Sequence, residues 1–391
     1  EELPPQSASG AQVLALVQED GLVAKSEETV FQWVVRWWEA GERPEAELLA
    51  VMKHVRFAAM DASFVQTTVR AWPALDSKEG GHVIIDSLLD AGRAMRRSGF
   101  GAHLVYVLGG SFGDEEGEEL STVDVYDPQT GAWKQVASMP TTRSSHAGVA
   151  LNGKVYVIGG FGCNRGFLSS VDMYDPQSDS WQPLADMASG RSDVAAAVAG
   201  SKIYAIGGGN YDDDSMEMVE AFDPLLGTWA EVASMSVDRR NHAVAVVDGK
   251  IYAIGGYHSH AISRSDSAEA YDPQADRWQQ VANMPQGRFK HAAAVMGGKI
   301  YVSGGDDGNG PSRTVVVFDP QANTWTGVAS MGTERCSHAS AAVGGKLYVF
   351  GGETVGAGRT ASVEAYDPIS NRWAEVTDLA HERDDLLAVA L

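Results

Sequence analysis

The chain contains little cysteine and no long hydrophobic run. Its two cysteines, Cys163 and Cys336, occur among 391 residues, which is too few for a disulfide framework. A single bridge between them stays open, but two free thiols in a reducing cytosol or nucleus are the favoured interpretation. No stretch of eighteen apolar residues is present, so the sequence predicts no helical membrane span.

Basic residues are also scarce, with 30 lysines and arginines against 52 acidic residues and a formal net charge of -22. Binding to phosphate backbones or anionic lipids needs a basic surface, so neither nucleic acid nor a membrane is a predicted partner. Nucleophile-elbow, zinc-protease, phosphate-loop and C-x-x-C motifs are missing as well. We therefore predict no cofactor and no metal. The one close histidine pair, His258 and His260, leaves metal binding as the disfavoured alternative.

One pattern is repeated six times: an aromatic residue, a glycine pair, Tyr/Phe-Asp-Pro, tryptophan, Met or Leu, and arginine. The glycine pairs occupy positions 109–110, 159–160, 207–208, 255–256, 304–305 and 351–352. Each repeat alternates short β-branched segments with turn residues, which is typical of four strands. A repeat of about fifty residues built from short strands predicts a propeller, and the glycine pair is typical of the Kelch repeat. The predicted fold is an all-β, six-bladed β-propeller over residues 99–391.

The first repeat has no arginine-led strand before Val105. The missing strand is found at the other end of the chain, where Arg383–Leu391 copies the pattern of Arg143–Leu151. We expect the C-terminal strand to complete the first blade, because closing a propeller removes its exposed strand edges.

Variation in length is confined to the loop between the second and third strands of each repeat. Strands in a blade alternate in direction, so this loop shares a face with the repeated arginine. Variable loops on a rigid scaffold are where binding usually occurs. The candidate partner-binding residues are therefore Arg143, Arg191, Arg239, Arg288, Arg335 and Arg383, with Phe112, Phe161, Tyr211 and Tyr257.

The arginines admit two interpretations. Guanidinium groups grip carboxylates or phosphates in a bidentate manner, which favours an acidic peptide or loop as partner. Alternatively, they pair with the protein's own acidic residues or cap its backbone carbonyls. The acidic loop segments, such as Asp212–Asp214, also permit a basic partner, so the charge of the partner stays open.

Residues 1–98 follow a different pattern. Val30, Phe31, Val34 and Trp38 recur at helical spacing behind a potential N-cap at Ser26. This segment is predicted to be a small all-α bundle.

The same segment resembles a BACK domain. The resemblance is carried by Leu14, Leu16, Asp20, Leu22, Ser26, Glu27, Glu28, Val30, Phe31, Val34 and Trp37, and by Val55-Arg56-Phe57. A BACK domain followed by six Kelch repeats is the arrangement of BTB-BACK-Kelch proteins. The chain begins without methionine and partway into the BACK pattern, so we expect a piece of a longer protein with an incomplete BACK domain and no BTB domain.

The resemblance implies a function. In that family the BTB region dimerises and binds a cullin scaffold, while the propeller recruits a substrate for ubiquitination. The predicted function is thus a non-catalytic, substrate-recognition adaptor of a cullin-RING ubiquitin ligase. The alternative is an actin-binding or cytoskeletal Kelch scaffold. An enzyme is disfavoured, since the copper oxidases among Kelch propellers need a Cys–Tyr pair and clustered histidines that this sequence does not show.

Overall fold

The computed structural model describes Val34 and residues 104–112, 119–162, 166–259, 261–356 and 358–391. By its internal packing the chain divides into two units, Glu1–Ala102 and His103–Leu391. Val34 is helical and fully buried. The rest of the predicted α bundle over residues 1–98 lies outside the described residues.

Within the described part of the second unit, the strands form six four-stranded antiparallel sheets, the blades, together with three two-stranded hairpins. Blade 1 contains Leu387–Ala390, Val105–Leu108, Val123–Asp127 and Ala132–Val136; blade 2 contains Ala147–Leu151, Lys154–Ile158, Val171–Asp175 and Ser180–Pro183; blade 3 contains Ala195–Ala199, Lys202–Ile206, Val219–Asp223 and Thr228–Val232; blade 4 contains Ala243–Val247, Lys250–Ile254, Ala268–Asp272 and Arg277–Val281; blade 5 contains Ala292–Met296, Lys299–Ser303, Val315–Asp319 and Thr324–Val328; blade 6 contains Ala339–Val343, Lys346–Phe350, Val363–Asp367 and Arg372–Glu375. The hairpins are Phe161–Gly162 with Gly166–Phe167, Tyr257–His258 with Ser263–Arg264, and Glu353–Thr354 with Gly358–Arg359.

The first strand of every blade contacts the first strands of both neighbouring blades, so these six strands form a closed inner ring. The six-bladed propeller predicted from the repeats is confirmed. The first strands are rich in alanine, as in Ala195–Ala199, and small side chains let neighbouring strands approach closely at the centre. The second and third strands are almost entirely buried between blades.

Aromatic residues of the repeat join adjacent blades. The Trp181 indole donates to the Ala137 carbonyl of the preceding blade at 2.8 Å, and Trp278 makes the same bond to Ala233. Tyr126 of blade 1 packs edge-on to Phe350 of blade 6. Aromatic burial of this kind contributes strongly to core stability.

The C-terminal strand closes the ring. Leu387–Ala390 pairs in antiparallel register with Val105–Leu108, with Val105 opposite Ala390. The Leu104 amide also donates to the Leu391 carbonyl at 3.0 Å. The prediction that the last strand completes the first blade is confirmed.

The glycine pair stands where the backbones of adjacent blades meet. Gly159 has φ +61°, and a Cβ there would lie 2.7 Å from the Arg191 carbonyl oxygen; Gly160 has φ +100° and faces the His146 Cβ at 2.6 Å. Both the left-handed backbone and the lack of space require glycine. The pair therefore marks an architectural contact.

The two faces of the propeller differ in content. We call the loop face the one that carries the second-to-third-strand loops and the segments leading into each first strand. We call the turn face the opposite one, with short turns such as Asn152-Gly153 and Leu225-Leu226.

Candidate functional site

The six repeated arginines lie inside the propeller, each between 0% and 2% exposed. Arg239 is representative. Its Nη1 donates to the Gly255 carbonyl at 2.8 Å and to the Ser267 carbonyl at 3.1 Å. Its Nη2 lies 3.1 Å from Glu269 Oε1, and Glu269 is fully buried.

Each repeated arginine joins two consecutive blades, one through its backbone carbonyl and the other through its side chain. The Arg239 carbonyl accepts from Gly208 of blade 3 at 2.9 Å, whereas its guanidinium reaches into blade 4. The corresponding acidic partners on the third strands are Asp172 for Arg143, Glu220 for Arg191, Glu364 for Arg335 and Asp124 for Arg383. Arg288 has no such acid, and bonds the Gly304 carbonyl and the Thr314 hydroxyl instead.

The geometry thus favours the interpretation in which the arginines cap carbonyls and pair with internal acids. Desolvation makes a buried cation costly unless it is paired and hydrogen-bonded, and these internal partners meet that need. Partner binding by Arg143, Arg191, Arg239, Arg288, Arg335 and Arg383 stays a prediction that no contact in the structure supports.

The predicted aromatic residues do lie on the loop face. Tyr211 is 82% exposed and Phe112 is 42% exposed, while Phe161 and Tyr257 are partly buried. The Phe161 ring packs edge-on to Phe167, with centroids 5.5 Å apart, and Phe167 packs edge-on to Tyr211 at 4.6 Å. We call Phe161, Phe167 and Tyr211 the aromatic wall.

Two positions that the sequence reasoning missed surround the propeller axis. The residue after each arginine pairs with the residue that follows a glycine pair, as Ser144 does with Phe161 and Arg240 with Tyr257. The residue two positions after each arginine has φ between 49° and 56° in all six repeats. These second residues are Ser145, Asp193, Asn241, Lys290, Ser337 and Asp385. Each donates its amide to the carbonyl of the preceding one at 2.9–3.1 Å, which makes a closed ring of six backbone hydrogen bonds.

A signal for these positions exists in the sequence. The arginine is the same in every repeat, whereas the next two residues differ in charge and size. An unchanging residue serves a contact that every blade makes, and a residue that changes from repeat to repeat is a candidate for recognition. The charge of the repeated arginine favours a ligand contact, so the prediction centred on that residue and not on the two that follow it.

A pocket of about 330 Å³ opens on the loop face between blades 2 and 3. Its lining consists of Ser144, Ser145, Phe161, Phe167, Ser192, Asp193, Gly209, Asn210, Asp214 and Arg240. The apolar part of the lining is formed by the rings of Phe161 and Phe167. The polar part includes the carboxylates of Asp193 and Asp214 and the guanidinium of Arg240. The volume lies at the lower end of the range for ligand pockets, and the lining is more polar than apolar.

Ion pairs connect neighbouring loops around this face. Arg240 Nη1 lies 2.6 Å from Asp214 Oδ1, and Arg264 Nε lies 3.0 Å from Asp306 Oδ1. The Arg240 guanidinium also stacks 5.2 Å from the centre of the Tyr257 ring. Pairs this exposed contribute little to stability, so they are available to exchange partners on binding.

Titratable groups at the ring of second residues influence one another. Burial and the nearby Asp385 carboxylate raise the pKa of Asp193 to about 6, against a hydrogen bond from Ser145. Burial lowers the pKa of Lys290, but Asp385 and Asp193 are among the acidic neighbours that outweigh it and raise the pKa overall. The lysine is therefore charged at neutral pH and has these carboxylates near it.

Other features give no site of their own. In the part of the chain that the structure describes, no three His, Cys, Asp or Glu residues come together as a metal site. Cys336 is buried and free, and burial raises its pKa to about 12. Cys163 and His260 lie outside the described residues. Among the described residues there is no helix with the length and apolar character needed to cross a membrane.

Comparison with known proteins agrees with the fold and the repeats. The model of the KLHDC2/KLHL20/DRC7 Kelch-repeats domain matches residues 100–305 and 239–383, and the BACK model, "BTB And C-terminal Kelch", matches residues 6–70. Kelch-like protein 24 of rat, human and mouse is 28% identical over a 153-residue alignment that covers 36% of this chain and 25% of each relative.

The solved structure of YjhT shares the fold, with a TM-score of 0.59 at 18% sequence identity. The match covers 69% of this chain and 97% of that one. Because the Kelch model extends over most of the chain and the BACK model precedes it, the chain belongs to the Kelch-repeat proteins of the BTB-BACK-Kelch family.

Proposed function

We propose that the loop face of this propeller captures a protein partner, and that the parent protein presents that partner to a cullin-RING ubiquitin ligase. The family relationship indicates a protein-binding adaptor, and Kelch propellers joined to BACK domains are typically non-catalytic. The observation that carries the proposal is the concentration of repeat-variable aromatic and charged side chains around one pocket on the loop face. Contact with the cullin, and dimerisation, would be made by a BTB region outside this chain, in the cytosol or nucleus.

The loop face has the composition of an interface hot spot. Tyrosine and arginine are favoured at such sites because they bury large areas with little loss of side-chain freedom. Tyr211 presents an exposed ring that Phe167 holds in place. Arg240 is held between Asp214 and the Tyr257 ring. A peptide or loop lying over the opening would contact all of these groups at once.

Capture of partners from cells tests the role of this face. The parent protein is compared with the double variant Tyr211→Ala, Arg240→Ala and with a matched double variant on the turn face, Leu225→Ala, Leu226→Ala. Leu225 and Leu226 are 92% and 74% exposed, so this control removes comparable exposed area. We expect one or more captured proteins to disappear from the loop-face variant alone, as measured by quantitative mass spectrometry.

The cullin provides a separate result. The proposal predicts that a cullin is captured with all three proteins, because the substituted residues lie on the propeller. Capture of actin or filament proteins without a cullin would overturn the ligase role. Equal partner capture by the parent and the loop-face variant would instead overturn the binding role of this face.

A further inference from the structure

We infer that the pocket beside Asp193 receives an arginine or lysine side chain of the partner, with an adjacent apolar residue packing on the aromatic wall. The inference rests on the proposed function, since it names the chemistry of the partner that the loop face captures. It reverses the sign expected from the repeated arginines, which favoured an acidic peptide.

The size and lining of the pocket suit one long side chain. Its volume of about 330 Å³ stands at the lower end of the range for ligand pockets. The Phe161 and Phe167 rings form one side, and Asp193 with its Ser145 hydroxyl contact lies toward the axis. A lysine or arginine buries its aliphatic stem on apolar surface while its head stays with polar groups. That distribution matches the two sides of this pocket.

The charges around the pocket leave a carboxylate in excess. Arg240 is already matched by Asp214 at 2.6 Å. Asp193 shares its surroundings with Asp385 and a single lysine, Lys290. Two carboxylates against one ammonium give a local net charge of -1, in a molecule whose formal charge is -22. A cationic side chain of the partner would neutralise this local negative charge, whereas a carboxylate would be repelled by Asp193 and Asp385.

Asp193 is held in an environment that disfavours its charged form. Burial and Asp385 raise its pKa, while Ser145, Arg240 and Lys290 act in the opposite direction. A cationic head group would stabilise the ionised carboxylate by Coulomb attraction, which is stronger in a partly desolvated site than in water. Ionisable groups in environments that disfavour their charged form are common in binding sites.

The aromatic wall supplies the second contact. The Phe167 and Tyr211 rings lie nearly perpendicular, at 83°, and Tyr211 leaves most of its surface open to solvent. An arginine placed over an aromatic face is attracted by the negative charge of that face. The exposed Tyr211 surface also accommodates an apolar neighbour of the basic residue.

Selection from a displayed library of random short peptides tests the inference with the full chain. The wild type is compared with Asp193→Asn, with Tyr211→Ala and with Asp212→Asn, which removes the same charge from an exposed loop-face position outside the pocket lining. We expect peptides retained by the wild type to share a basic residue beside an apolar one. Their affinity should fall tenfold or more in Asp193→Asn and less than twofold in Asp212→Asn.

The pH dependence of peptide affinity is a second readout, which a change in the shape of the pocket would not reproduce. Asp193, with a pKa of about 6, is mostly protonated near pH 5 and mostly ionised near pH 7.5, so affinity should drop about tenfold at the lower pH. The groups facing Asp193 are Asp385, Ser145, Arg240 and Lys290, and the raised pKa of Lys290 keeps its ammonium group charged throughout this range. In Asp193→Asn the pH dependence should disappear.

The outcomes separate this inference from the function it rests on. The inference is overturned if the retained peptides lack a shared basic residue, or if they bind Asp193→Asn with the same affinity as Asp212→Asn. In either case the binding role of the loop face stands if Tyr211→Ala still weakens peptide binding. Peptides that bind every variant equally, or no retained peptide at all, count against both the pocket and the loop face.

Discussion

Arg239 and Arg240 are adjacent in the sequence, yet their side chains lie in different surroundings. Arg239 is fully buried and bonds carbonyls and Glu269 within blade 4. Arg240 is partly exposed and pairs with Asp214 on the loop face. The first recurs in all six repeats, and the second occurs in one. Recurrence therefore separates an architectural arginine from a candidate for recognition.

Alanine substitution should separate the two roles. Arg239→Ala leaves the Glu269 carboxylate buried without its partner and is expected to cost about 3–5 kcal/mol of unfolding free energy. Arg240→Ala should cost no more than about 1 kcal/mol, because exposed ion pairs contribute little. Chemical denaturation of both variants measures the difference. Equal losses would show that the buried pair is not a main support of the blade contact.

At the scale of the strand and turn, Gly153 and Gly159 illustrate how glycine serves two purposes. Gly153 has φ +72° in a hairpin turn with open space around it, whereas Gly159 has φ +61° and faces the Arg191 carbonyl oxygen. Both need the left-handed backbone, but only Gly159 also needs the missing side chain. This difference connects the turn chemistry to the packing of one blade on the next.

Gly159→Ala is expected to be more destabilising than Gly153→Ala. The backbone strain of about 1–2 kcal/mol is common to both, and overpacking adds about 1–3 kcal/mol at position 159. Thermal unfolding of the two matched variants measures the difference. A melting temperature for Gly159→Ala at or above that of Gly153→Ala would contradict the close approach.

The C-terminal strand is the element that joins the ends of the propeller. Deleting Asp385–Leu391 removes one member of the central ring and the partner of Val105–Leu108. We expect a lower melting temperature and loss of a single cooperative transition, because blade 1 then has an open inner edge. A synthetic peptide of residues 383–391 should restore part of the loss, and a scrambled peptide should not. Wild-type melting of the truncated chain would contradict the closure.

At the scale of the whole molecule, the repeats were sufficient to predict the propeller and its closure. Each blade uses the same glycine pair, tryptophan and arginine, so six copies of one signal support one architecture. The predicted α bundle over residues 1–98 stays a prediction, as does the exact boundary between the two domains.

The candidate site was predicted only in part. Tyr211 was found because it lies in a loop of variable length. Asp193, Phe167 and Arg240 were missed, because their proximity depends on how blades 2, 3 and 4 meet at the axis rather than on spacing within a repeat. The burial of the arginines could not be predicted from the sequence either. A repeated arginine on one face is equally consistent with a ligand site and with ion pairs inside the protein.

Mapping the partner contact directly is the most decisive measurement. A photo-crosslinking phenylalanine derivative is placed at Tyr211 on the loop face or at Leu225 on the turn face, two positions with 82% and 92% exposure, in the parent protein in cells. We expect a captured partner to crosslink at position 211 and not at position 225. Crosslinking of the same partner at position 225 and not at position 211 would contradict it.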